Sequence, residues 1–224
     1  MQQQQLESAL RDISTRYPRA ALASSLSIED MVITDAIARL HLPIAVFTLD
    51  TGRLHKETLG LIDRVQEQYG LAIKVFHPVA EQVLHYVSKH GANAFYASVD
   101  LRKRCCGIRK VEPLNRALKD RDAWITGQRR AQSITRDALA LEEHDADRGI
   151  AKFNPLAAWT DAQVADYLKQ HNVPVNPLHA RGYPSIGCEP CTRAIKPGED
   201  PRAGRWWWEN ADSKECGLHV SVAA

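Results

Sequence analysis

Nowhere in this 224-residue chain does an apolar run reach the roughly 18–20 residues that span a bilayer. The opening MQQQQLESALRDI lacks an apolar stretch with a small-residue cleavage site, so no secretion signal is expected. Neither sign of charge dominates: 29 Lys and Arg stand against 27 Asp and Glu. That balance gives no support to a nucleic-acid or membrane-surface role. Internal repeats are missing, as is any low-complexity tract beyond the first glutamines. What remains is a chain with 44% apolar residues, enough for one sizeable core, expected in the cytoplasm. Thiols stay reduced there, so five cysteines point to metal binding or catalysis rather than to a disulfide framework.

Glycine is also missing where a phosphate cradle needs it. The segment SSLSIED (24–30) has none and carries Glu29 and Asp30 instead, unlike a pyrophosphate-cleaving loop of the S-G-G-x-D-S kind. An ATP-cleaving cradle is therefore disfavoured. A nucleotide with a shorter phosphate chain, held mainly by arginines, fits better.

The apolar pattern predicts alternating helices and strands. A helix over 3–16 is followed by a small-residue strand at 20–26. The next helix carries Ile28, Val32, Ala36 and Leu40 on one stripe, with Ser27 and Asp30 at capping-box spacing. IAVFTLD (44–50) suits a strand buried on both faces. LHKETLGLIDRVQEQYG predicts a helix ending at Gly70, LAIKVF a strand, and AEQVLHYVSKHG a helix ending at Gly91. A basic helical stretch follows, interrupted or restarted at Pro113, and then a strand at AWITG (123–127). LALEEHD and IAKFNPL predict short strands, and Thr160 caps the helix DAQVADYLKQHN. Beyond Val173 the chain is rich in Pro and Gly and is expected to form loops. Such alternation indicates βαβ units and a parallel sheet. Ligands belong at the C-terminal ends of its strands, where SSLSIED, LDTGRLH and GQRRAQSITR fall.

The cysteines divide as four plus one. Cys105 and Cys106 are adjacent in RKRCCGIRK, Cys188 and Cys191 form a C-x-x-C in GCEPCT, and Cys216 stands alone. Four thiolates make a soft ligand set for Zn²⁺ or an iron–sulfur cluster. Adjacent cysteines diverge, which is awkward around one small ion and easier around a cubane with separate irons. On a helix Lys110 lies one turn from Cys106, and Arg109 one turn from Cys105, so positive charge would face the cluster. The same basic run also reads as a solvated helix face. Cys216 follows the Pro/Gly-containing KPGEDPRAG, which suits a mobile nucleophile. His219 would favour its thiolate and Glu215 would oppose it. An inert terminal thiol is the alternative. Arg129, Arg130 and Arg136, with Arg202 and Arg205, flank the expected crevice, and their forks match phosphate or sulfate oxygens.

The motifs LDTGRLHKET, KRCCGIRK, WITGQRR, KFNPL, SIGCEPCTR, GRWWWE and KECGLH run through nearly the whole chain. In them it resembles the assimilatory adenylyl-sulfate (APS) reductases, relatives of the phosphoadenylyl-sulfate (PAPS) reductases. The resemblance implies a Rossmann-like α/β fold of the adenine-nucleotide α-hydrolase-like type. It implies a nucleotide-binding domain over 1–192 and a C-terminal arm over 193–224. It implies reduction of APS to sulfite and AMP through a Cys216 S-sulfonate, with thioredoxin or a glutaredoxin-like protein as reductant. PAPS, or both substrates, is the alternative, and self-association is left open. Cys105, Cys106, Cys188 and Cys191 match the ligands of one [4Fe–4S] cluster, Lys110 its neighbouring lysine and Cys216 the nucleophile. Arg136, Arg202 and Arg205 match substrate-contacting arginines, and Leu49 with Ser24, Ser25 and Ser27 would lie near the adenosine. Other readings of the same residues are an ATP-dependent thiolation enzyme and an iron–sulfur sensor.

Overall fold

The computed structural model describes residues 2–132 and 139–210. Its helices are α1 (Gln2–Arg16), α2 (Ile28–Arg39), α3 (Lys56–Tyr69), α4 (Ala80–His90), α5 (Val99–Cys106), α6 (Glu112–Leu118) and α7 (Asp161–Gln170). Its strands are β1 (Ala21–Ala23), β2 (Ala45–Leu49), β3 (Ile73–Phe76), β4 (Ala123–Ile125), β5 (Glu142–Asp145) and β6 (Ile150–Phe153). The six strands form one sheet in the order β3-β2-β1-β4-β6-β5. β1 is parallel to β2 and to β4, β4 is parallel to β6, and β5 closes an edge antiparallel to β6. The expected α/β class and mostly parallel sheet are what the chain forms. None of the described helices is long and apolar enough to cross a membrane.

The chain gathers into two compact units. One comprises Met1–Thr48, Gly60–Lys74 and Leu118–Asn176; the other comprises Leu49–Leu59, Val75–Ala117 and the chain from Pro177 onward.

In the first unit, Leu6, Leu10 and Ile13 of α1 share one helical face and pack with α2, Leu61, Val65 and the strands. The α2 helix is not the one-stripe helix that its apolar spacing predicts. Every residue from Glu29 to Ile37 is buried, while Ile28 and Leu40 at the ends are not. Its polar residues are tolerated there because they are bonded. The Thr34 hydroxyl donates to the Asp30 carbonyl, and Asp35 accepts from Arg39, Tyr69 and Tyr167. The expected capping box at Ser27 and Asp30 does not form either. Ser27 occupies the N-cap position but makes no capping bond, because its hydroxyl donates to the Asp30 carboxylate at 3.3 Å. Thr160 does cap α7, in a complete box with Gln163.

In the second unit, α5 runs into a π-helical turn at Gly107–Val111 before α6. Pro113 explains the widening. It cannot donate to the carbonyl of Arg109, and its ring crowds that carbonyl. A small core forms from Tyr86, Ala94, Phe95 and Cys105, with Trp208 packed against it. The described part of the C-terminal segment is tied back by backbone bonds from Arg193 to Gly204, Ile195 to Gly182 and Trp206 to Cys191. Arg102 and Glu209 add a buried ion pair at 2.7 Å, with side chains 1% and 3% exposed.

Candidate functional site

Two groups of chemistry-bearing residues stand out, one in each unit. In the first unit the β1–α2 loop is held by Asp30. The amide and hydroxyl of Ser25 both donate to Asp30 Oδ2 at 2.7 Å. Ser24 is buried, and its hydroxyl accepts from the Leu26 amide, whose residue takes φ +60°. Burial pushes the Asp30 carboxyl up to about 6 against the pull of the Ser25 bonds, and the neighbouring Glu29 pushes the same way.

The sequence places Arg129 among the anion-binding arginines, but the structure gives its guanidinium protein partners. It is 3% exposed. Nε and Nη2 donate to Glu29 Oε1 at 3.0 and 2.7 Å, Nη2 also to Asp161 at 2.7 Å, and Nη1 to the Trp159 carbonyl at 3.1 Å. Its partner Glu29 lies a hundred residues away, with nothing in the local sequence to announce the pairing. Arg130 is exposed and donates to the Leu139 carbonyl. Leu49 ends β2 and is half-buried. Arg136, Cys216 and His219 lie outside the described residues.

In the second unit a cavity is walled by all four paired cysteines, Cys105, Cys106, Cys188 and Cys191, together with Arg109 and Lys110. Its remaining wall includes Arg53, Arg102, Phe95, Pro190 and Trp206. All four thiols are free of disulfides. Cys105 and Cys106 come from the last turn of α5. Cys188 is held by the segment 51–54, through a bridge to Leu54 and through Thr51, whose Oγ1 lies 3.2 Å from Cys188 Sγ. Arg109 donates to the Thr51 carbonyl at 2.6 Å and also bonds Cys105. Lys110 acts electrostatically on Cys191.

Burial raises the Cys105 thiol, with Arg109 opposing. Burial, reinforced by neighbouring Cys188, pushes Cys191 up to about 12. These are thiols whose ionised form needs a compensating positive group. Among the described residues no three His, Cys, Asp or Glu side chains converge as ligands of one metal ion. The four thiols line one cavity. The buried indole N–H of Trp206, on the cavity wall, has no acceptor among the described residues and leaves a donor for a bound group. The donor set and the surrounding cations thus fit a thiolate-bound cluster.

Arg205 is buried over the Trp206 ring at 4.7 Å, near the Ser185 hydroxyl and the Ile186 carbonyl at 3.4 Å. A Cβ on Gly187 would lie 2.5 Å from its Nη2, so the glycine makes room for this guanidinium. Arg202 is half-buried, and its amide donates to Asp200. The sequence assigns no role to Thr51, Arg53 and Glu209, and places Arg102 only in the basic run beside Cys105 and Cys106. Thr51 and Arg53 lie inside the recognised LDTGRLH, which is the signal that singles them out.

A model of the phosphoadenosine phosphosulfate reductase domain matches residues 19–194. The chain belongs to that family. Among its curated relatives, the adenosine 5′-phosphosulfate reductase of Burkholderia cepacia is 64% identical over 98% of this chain and 88% of its own. The enzyme of the same name from Allochromatium vinosum is 55% identical over 94% of this chain and 82% of its own. A crystal structure of a PAPS reductase from Candida auris is 29% identical, with a TM-score of 0.73 over 85% of this chain and 90% of that one. NMN synthetase from Francisella tularensis, 14% identical with a TM-score of 0.56 over 77% of this chain and 70% of its own, shares the fold.

Proposed function

We propose that this family member reduces adenosine 5′-phosphosulfate to sulfite and AMP in sulfate assimilation, in the cytoplasm, with a thioredoxin-like dithiol as reductant. The observation that carries the reading is the pairing of two facts: relatives 53–64% identical over nearly the whole chain bear that name, and both cysteine pairs line one basic cavity.

Cys105, Cys106, Cys188 and Cys191 are the four thiolates for one [4Fe–4S] cluster, with Arg109, Lys110 and the Trp206 N–H as its polar surroundings. When bound, the cluster supplies structural cohesion and shapes the charge near the sulfate. Lys110, Arg136, Arg202 and Arg205 bind the anionic end of the substrate, and the Ser24–Ser27 loop and Leu49 border the adenosine. Cys216, on the segment from 193 onward, is the nucleophile, with His219 beside it to favour the thiolate. Its thiolate attacks the sulfate sulfur; an S–S bond forms, the S–O bond breaks, and AMP leaves with the bridging oxygen and its electron pair. A thiolate of the reductant then attacks Cys216 Sγ, and sulfite departs with the electron pair. The second thiol of the reductant resolves the mixed disulfide, returning Cys216 and leaving an oxidised dithiol.

Mass spectrometry after incubation with adenylyl sulfate and no reductant tests the scheme. An adduct of one SO₃ on the peptide carrying Cys216 is expected. Protein that releases sulfite with reductant yet never carries that adduct refutes the covalent step. A strong rate preference for the 3′-phosphorylated substrate refutes the substrate.

A further inference from the structure

β1 and β4 are parallel neighbours, yet β2 follows β1 on its other side. Where strand order reverses in this way, an open α/β sheet presents a crevice beyond the strand ends, and ligands bind there. The loops at 24–27 and 126–130 leave those two strands. A helix N-terminus with free amides in such a place holds a phosphate. Here the donors of the loop's three residues before the helix are turned inward, onto the chain's own oxygens. Ser25 gives both its amide and its hydroxyl to Asp30, Ser27 gives its hydroxyl to the same oxygen, and the Leu26 amide goes to Ser24.

Asp30 lies in the first turn of α2, 4% exposed, where its charge already satisfies the positive end of the helix dipole. A Cβ on Gly127 would collide with its Oδ1, so the carboxylate is wedged between the two loops. Glu29, next to it, is engaged by Arg129. A carboxylate of the chain therefore stands where the fold would otherwise receive a phosphate chain.

We propose that Asp30 is a specificity residue, which fills the anion cradle of the β1–α2 loop from within and so rejects pyrophosphate and nucleotides with a polyphosphate tail. It restricts the site to adenylates whose 5′ end carries one phosphoryl group, with or without sulfate. The inference deepens the adenylyl-sulfate reading and rests on it for the adenylate, but its test does not use that reaction.

Calorimetry on the full-length wild type, Asp30→Asn and Asp30→Ser measures binding of inorganic pyrophosphate and ATP, with AMP as reference. Asparagine keeps the shape and an acceptor for Ser25; serine opens the space. Circular dichroism verifies the fold of each. The wild type should bind pyrophosphate far more weakly than AMP. Losing one close negative charge should tighten pyrophosphate by about tenfold or more. A wild type that binds pyrophosphate as tightly as AMP overturns the proposal without any variant. Folded variants with wild-type pyrophosphate affinity overturn it too. Failure of the adenylyl-sulfate reading would show instead as no sulfite release by the wild type, which leaves the pyrophosphate comparison intact.

Discussion

Replacing Arg129 by methionine separates two roles for this residue, anion binding and loop fixation. The guanidinium and its partner Glu29 have side chains only 4% and 6% exposed, so water cannot take over from either when the other is removed. Asp161, by contrast, is 86% exposed on its side chain and contributes as a screened surface charge, about 1 kcal/mol or less. Deleting Arg129 alone leaves the Glu29 carboxylate buried without its cation, a loss of about 3–5 kcal/mol. That is a large share of the roughly 5–15 kcal/mol that holds a domain of this kind together. Replacing both, as Glu29→Gln with Arg129→Met, removes the stranded charge and should recover most of the loss. Urea denaturation followed by circular dichroism gives the four corners of the cycle, and AMP binding is measured on the same samples. Loop fixation predicts a strong coupling energy and AMP affinity that returns in the double variant. A single Arg129→Met that keeps wild-type stability while losing AMP would refute the structural assignment and restore Arg129 as a ligand contact.

Other perturbations follow from the same geometry. The Asp30 carboxyl, with a folded pKa of about 6 against an ordinary 3.8, holds its proton in the folded state at pH values where the unfolded chain has released it. Folding stability should therefore fall as pH rises from about 4 to 6, by a total near 3 kcal/mol, and Asp30→Asn should lack that slope in denaturation midpoints. Gly204→Ala sets a Cβ against the carbonyl of Arg193, which is backbone and cannot swing away. We expect a loss of a few kcal/mol and earlier thermal unfolding than the exposed control Gly60→Ala, which meets nothing. Cys188→Ser should yield purified protein with depleted iron and little visible absorbance, read by metal analysis; full iron content would dismiss Cys188 as a ligand.

The secondary structure was largely legible because each element carried its own local signal. IAVFTLD is apolar without alternation and forms β2; Thr160 and Gln163 stand at capping spacing and form the box that starts α7. Ser27 and Asp30 have comparable spacing and fail, because the buried Asp30 carboxylate accepts from Ser25 rather than from the helix end. Spacing reports what is possible within one segment, and burial decides among the possibilities. The cysteines were legible as a set because sulfur ligands are few and their pairing is unusual. Arg129 was not, since a buried partner a hundred residues upstream leaves no trace in local pattern. Nor was the π-helical turn at Gly107–Val111 foreseen, although Pro113 marked the break that causes it.

Thr51 and Cys188, which touch at 3.2 Å, are 137 residues apart in the chain. The cysteine cavity draws its wall from three such distant stretches, around 53, 95–110 and 188–206. A ribosome adding about 5–20 residues per second therefore exposes the first two thiols well before the last pair exists. A half-built site of this kind offers two adjacent thiols and a run of cations to any passing oxidant or metal ion. Any group that needs all four thiols can therefore be taken up only after the last pair has been made, and until then the first pair stands alone.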